Sequence, residues 1–323
     1  MKKVGPIAAL VVLVLVAASL VALVFLSSSS SHPFADPADA RCNAPSATFD
    51  SAVVLPSHRE FGVRFTCVGT QLAGTLNVPL GRGPFPAVVW VHGAGESARL
   101  PYDGTPLVQA LVDSGIAVLS YDKRGVGESV GECCPGDYGQ FNLFAADVDG
   151  AVAALRSRPE IDPSRIGLLG ASQAGWVVPL ATVRSNRRVA FTALVDAPAV
   201  STGEEDLYSQ ESGEQGSLLR LASFVRTAGG LRTPGPAGFD PRRYLEQLET
   251  PGLWLYGGAD YSQPTDEDVD ALNRLKENGK DFRVLVYPQA DHGLLDVPAT
   301  DPRALPEVVR WIKAQTDPMT VNP

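Results

Sequence analysis

Histidine is scarce in this chain: His32, His58, His92 and His292 are the only four among 323 residues. A side-chain base for proton transfer therefore has few addresses. No histidine lies at zinc-ligand spacing from another ligand, which argues against a metal site. Cysteine is as sparse, with four residues. None has a base near it in sequence, which argues against a thiol nucleophile. Basic clusters are missing as well. Lys and Arg number 27 against 36 Asp and Glu, giving a net charge of −9 and a pI near 5.0. Such a chain is not built to follow a nucleic-acid backbone. Its acidic residues are dispersed, as on a solvated surface, and no internal repeat is visible.

Charge is absent altogether from Val4 to Leu26, a run of 23 residues behind Met1-Lys2-Lys3. At about 1.5 Å per helical residue that run crosses a hydrocarbon layer of about 30 Å. The two lysines keep the N-terminus cytoplasmic. The apolar core exceeds that of a cleaved signal, and no small-x-small site follows it closely. Residues 1–26 are therefore expected to form an uncleaved signal anchor, the alternative being a cleaved signal that leaves the protein secreted. In either case the rest is exported, a compartment that suits disulfides. The preferred pairing is Cys42 with Cys67, tying the N-terminal arm to an early strand. Cys133 and Cys134 then form a vicinal pair or stay free, and a crossed pairing is the alternative.

Residues 27–58 read as a linker and 59–323 as a domain. The alternation Phe61, Val63, Phe65, Cys67 predicts a strand, with a hairpin partner over 71–78. A continuous apolar run over 87–91 predicts a strand buried on both faces and 116–120 the next buried one, and further strands are expected over 165–169, 191–195, 252–256 and 281–286. Helical spacing separates them, most clearly over 141–156 through Phe144, Val148, Val152 and Leu155. This alternation predicts an α/β fold: a mostly parallel central sheet with helices on both faces. Residues 199–249 break the rhythm and read as a mainly helical cap insertion. Its Leu218, Leu219, Leu221, Phe224 and Val225 make either its own core or an apolar acyl pocket.

The apolar strand over 165–169 leads into Gly170-Ala-Ser172-Gln-Ala174-Gly175, small-x-Ser-x-small. That spacing fits a strained strand-to-helix turn holding a serine at a helix N-terminus, where amides favour developing negative charge. Ligands collect at the C-terminal ends of parallel strands, and His92-Gly93, Asp260 and His292 stand at three more such ends. The order Ser172, Asp260, His292 is that of a hydrolytic triad. His292 is the base by scarcity: His32 and His58 precede the sheet, and His92 lies before the serine. Asp196, also at a strand end, is the rival acid. Asp291 and Asp296 are expected to face solvent, Glu96 and Arg124 to pack in loops, and Trp176 to lie in the core.

From about Phe61 to Trp311 the chain resembles the α/β-hydrolase superfamily. Within it, the chain is similar to exported bacterial carboxylesterases related to the prolyl-oligopeptidase branch. The resemblance rests on Leu72–Leu76, Pro84–Val88, His92-Gly93, Asp122–Ser129, Gly170–Trp176, Gly258-Ala-Asp260 and Asp291-His292-Gly293. It implies Ser172 as nucleophile, His292 as base and Asp260 as its orienting acid, acting on a small-molecule acyl ester without metal or organic cofactor. It further implies an oxyanion hole from the backbone N–H groups of Gln173 and Ala94, with His92 bracing the turn. Ala174 departs from a position often held by glycine. The alternatives are a peptidase, amidase or acyltransferase of the same fold, or a non-catalytic binding domain. A peptidase of that branch often carries a large propeller, for which the residues before Phe61 leave no room.

Overall fold

Strand side chains alternate between two faces, and the parallel strands use both. In the segment Val88–Val91 one face takes Val89 and Val91 and the other takes Val88. Trp254 and Tyr256 likewise face away from Leu253 and Leu255. The computed structural model describes residues 40–133, 140–185, 189–212 and 238–317. The strands are β1 (Ser46–Phe49), β2 (Val53–Val54), β3 (His58–Cys67), β4 (Thr70–Pro79), β5 (Phe85–Val91), β6 (Ala117–Tyr121), β7 (Ile161–Ala171), β8 (Thr192–Val195), β9 (Gly252–Gly257) and β10 (Phe282–Tyr287). They form one sheet in the order β1-β3-β4-β6-β5-β7-β8-β9-β10, with β2 paired to β3. β1 to β4 pair antiparallel, β4 joins β6 antiparallel, and everything from β6 to β10 is parallel.

The helices are α1 (Pro106–Asp113), α2 (Phe141–Arg156), α3 (Ala174–Arg184), α4 (Thr202–Ser212), α5 (Arg242–Leu245), α6 (Thr265–Glu277) and α7 (Ala304–Thr316). One face of the sheet is covered by α2, α3 and α6, through residues such as Phe144, Val148, Trp176 and Leu272. The other is covered by α1 and α7, through Leu107, Leu111, Val308 and Ile312. The predicted α/β sheet with helices on both faces is the observed one. α3 is buried on every side from Ala174 to Ala181. A helix apolar all round belongs in the interior, and this one follows Ser172.

The sheet starts earlier than the sequence suggests. Residues 46–54 of the expected linker hold β1 and β2, and Ser46 pairs with Thr66 through to Phe49 with Val63. β1 is a four-residue edge strand whose side chains are at most half-buried, so it carries little apolar signal. Cys42 and Cys67 lie at disulfide distance, Cα to Cα 5.2 Å, and fasten this edge. The expected vicinal pairing of Cys133 with Cys134 falls outside the described residues. So do the anchor segment 1–26 and the cap's Leu218, Leu219, Leu221, Phe224 and Val225. Among the described residues no helix is long and apolar enough to cross a membrane.

Candidate active site

Ser172 sits between the end of β7 and the start of α3 with φ 53°. A non-glycine residue in the left-handed region costs about 1–3 kcal/mol, so surrounding contacts must hold it there. The Ser172 amide donates to Val195 O at 3.1 Å, and its carbonyl accepts from Gly175 N at 2.9 Å. Small residues make the turn closable. A Cβ at Gly170 would lie 2.5 Å from Ala174 Cβ and 2.8 Å from Val91 O. One at Gly175 would lie 2.6 Å from Pro198 N. The crowding at 170 thus begins at Cβ itself. Gly170→Ala should destabilise the fold by about 1–3 kcal/mol, read as a lower urea midpoint. An unchanged midpoint would mean that the turn relaxes freely.

Two parallel strands supply the rest. β9 runs into Asp260 and β10 into His292, and the His292 ring nitrogen Nδ1 lies 2.7 Å from Asp260 Oδ2. The carboxylate is fully buried, while 32% of the imidazole side chain stays exposed. Asp260 Oδ1 accepts from Ser262 N at 2.7 Å and Gln263 N at 3.1 Å, so the acid is held from behind. Tyr208 of α4 donates to Asp260 O at 2.9 Å, which seats the cap beside the acid. Burial of the His292 ring works against its protonation. The hydrogen bond to Asp260 and the charges of Asp260, Asp196 and Asp296 outweigh it and raise the pKa above the ordinary histidine value.

Asp196, the rival acid, is occupied elsewhere. Its Oδ1 accepts from Gly257 N at 3.0 Å, and its Oδ2 from Gly293 N at 3.1 Å and Leu294 N at 3.0 Å. It ties the end of β9 to the residues after His292 and leaves the ring to Asp260. Asp291 and Asp296 are exposed, as expected. Trp176 is buried and donates to Val200 O at 2.9 Å.

The turn after β5 lies against the serine: a Cβ on Gly93 would be 3.4 Å from Ser172 Cβ and 3.9 Å from Ser172 Oγ. Ala94 is exposed and Gln173 buried. The His92 Nε2–H donates to Tyr121 O at 2.5 Å. Burial, with the Lys123 charge beside it, lowers the His92 pKa to about 4, so the ring is a neutral brace. Arg124 faces inward, its Nη2 2.6 Å from Asp147 Oδ1 in a buried ion pair, while Glu96 is exposed. Asp122 folds the same glycine-rich loop: its carboxylate takes Arg99 in a two-pronged contact and also accepts from Glu128 N at 2.9 Å. Cys133 Sγ stands 3.9 Å from Gly95 O, so that loop reaches the turn.

Sequence reasoning did not single out Lys123. Its Nζ is buried at 2.9 Å from Gly93 O, 3.1 Å from Gly95 O and 2.8 Å from Gln173 Oε1. It also stands 4.4 Å from the centre of the Phe144 ring. Burial lowers its pKa to about 8. The available signal was three successive charges, Asp122-Lys123-Arg124, directly behind the wholly buried β6. Among the described residues no group of three or more His, Cys, Asp or Glu is placed to hold a metal ion.

A serine on a left-handed strand-to-helix turn, and an Asp–His pair at the ends of two strands of the same parallel sheet, define an α/β-hydrolase. This chain has the α/β-hydrolase fold. The family described as serine aminopeptidase, S33, matches residues 83–227. The chain is 26% identical over 274 residues to esterase EstD of Thermotoga maritima, covering 75% of this chain and 65% of that one. It is 28% identical over 233 residues to the uncharacterized peptidase YuxL of Bacillus subtilis, covering 70% of this chain and 34% of that one. It thus spans less than two thirds of the length of either relative. Among solved structures, acetyl xylan esterase 1 from Thermoanaerobacterium sp. superposes with TM-score 0.61 at 17% identity, over 85% of this chain and 89% of that one. The acylaminoacyl peptidase of Pyrococcus horikoshii does so with TM-score 0.60 at 17% identity, over 82% and 43%.

Proposed function

We propose that this chain is an exported serine hydrolase that cleaves small-molecule carboxylic esters through an acyl-serine intermediate. The observation that carries this reading is the 2.7 Å contact between His292 Nδ1 and Asp260 Oδ2 at the sheet edge that holds Ser172. With Asp260 accepting the Nδ1–H, the other ring nitrogen, Nε2, is the basic one. It takes the Ser172 hydroxyl proton as Oγ attacks the acyl carbonyl. The resulting oxyanion is received by the N–H groups of Ala94 and Gln173. Collapse of the tetrahedral species expels the alcohol, which takes the proton from His292. Water, deprotonated by the same ring, then releases the acid and restores Ser172.

The likeness to EstD, named an esterase, and to the acetyl xylan esterases supports esters over amides as this chain's substrates. The match to the serine aminopeptidase family supports amide cleavage as a second reading. A panel of p-nitrophenyl esters of rising acyl length, run beside peptidyl p-nitroanilides, separates them. Faster turnover of the esters is the expected result, and preference for the anilides would overturn it. The uncharged run Val4–Leu26 behind two lysines supports tethering to the membrane with the catalytic domain outside the cytoplasm. Recovery of the full chain in a carbonate-washed membrane fraction is expected. Its recovery from the medium alone would mean that the segment is cleaved.

A further inference from the structure

Lys123 has an environment that packing alone does not explain. A buried ammonium is costly unless its three N–H donors are all used. Here they meet three oxygens: Gly93 O at 2.9 Å, Gly95 O at 3.1 Å and Gln173 Oε1 at 2.8 Å. Two belong to the turn after β5, and the third belongs to the residue after Ser172. These are the two segments whose amides would hold the oxyanion, and they are far apart in sequence. The carbonyl of Gly93 and the N–H of Ala94 are the two ends of one peptide group. A cation on that oxygen pulls electron density toward it and makes the N–H a stronger donor, because hydrogen bonds in series polarise one another. Two nearby carboxylates are already engaged by other cations: Asp122 of the loop holds Arg99, and Asp147 of α2 holds Arg124.

We propose that Lys123 is a positioning residue for the oxyanion hole: it clamps the Gly93–Gly95 turn to Gln173 and polarises the Gly93–Ala94 peptide toward the developing negative charge. This rests on the serine-hydrolase reading above. The clamp acts on charge that appears only after attack, so it belongs to the transition state and not to substrate binding.

The test is Lys123→Met, which keeps the length of the stem and removes the cation. Ester kinetics are measured beside wild type and Ser172→Ala, together with the affinity of an alkyl trifluoromethyl ketone that forms a tetrahedral adduct. Losing a whole oxyanion donor costs about 10²–10³ in kcat, and a donor weakened and loosened should cost less. The expected result is a kcat about 10- to 100-fold lower with KM within about twofold, and ketone affinity weaker by a similar factor. A purely structural lysine would lower thermal stability and leave the kcat of the folded protein at the wild-type value, which overturns the proposal. Gln173→Leu removes one of the three ties with less disruption and serves if Lys123→Met does not fold. It should lower kcat in the same way, and an unchanged kcat counts against the clamp. Hydrolysis that survives in Ser172→Ala would instead sink the serine-hydrolase reading, and the proposal with it.

Discussion

Ser172→Ala is expected to lose fluorophosphonate labelling, with ester turnover about 10⁴-fold lower or more and an unfolding midpoint near wild type. The size of the loss follows from the division of labour at the sheet edge. In the proposed reaction Oγ is the atom that forms the covalent bond, and alanine has no atom to replace it. The small stability effect follows from the backbone. Alanine keeps a Cβ, so the φ of 53° and its strain remain. The bonds that hold the turn, Ser172 N to Val195 O and Gly175 N to Ser172 O, are made by main chain and survive the change. Equal labelling of wild type and variant would remove Ser172 from the reaction.

The second large effect separates the two aspartates. Asp260→Asn should lower kcat by about 10⁴-fold, because an amide facing Nδ1 favours the wrong tautomer and cannot stabilise the imidazolium. It should also move the pH profile. The ring must be neutral to accept the serine proton, so activity rises with pH through the His292 pKa. The Asp260 hydrogen bond and charge raise that pKa. Removing them lowers it, and the acid limb of kcat/KM shifts to lower pH in the variant. Asp196→Asn should do the reverse in kind. Asparagine tolerates the left-handed backbone at φ 46°. It offers one oxygen where the carboxylate serves Gly257, Gly293 and Leu294 amides. At least one buried amide loses its acceptor, at a cost of about 1–3 kcal/mol, with kcat of the folded protein changed far less than by Asp260→Asn. If Asp196→Asn abolishes turnover and Asp260→Asn does not, the assignment of the acid is wrong.

The legible parts of the site were those written in local pattern. The apolar runs ending at Val91, Leu169 and Tyr256 identified strands buried on both faces, and the polar residues just behind them marked the edge that holds Ser172. Helix α2 matched its predicted span from Phe141 to Arg156, because a long amphipathic helix repeats its signal over many residues. β1 was missed for the opposite reason. Four half-exposed residues at a sheet edge draw their order from pairing with β3 and carry almost no pattern of their own.

The choice between Asp196 and Asp260 could not be read locally, since both follow a buried strand. It depends on which carboxylate spends its oxygens on backbone amides and which on the ring, and those partners come from segments up to 98 residues away. Lys123 was hidden in the same way. As a lysine in a charged loop it looks solvated. It is buried only because the chain brings Gly93, Gly95 and Gln173 around its ammonium.

By itself, then, the sequence determined the strand-helix rhythm, the serine on its small-residue turn, and the single histidine able to serve it. Each depends on side-chain size, polarity or scarcity within a few residues. The tertiary structure alone decided which aspartate meets that histidine, where the sheet begins, and that a lysine ties the turn after β5 to the residue behind Ser172. Those are questions of how buried polar atoms are satisfied, and the partners that satisfy them are distant in the chain.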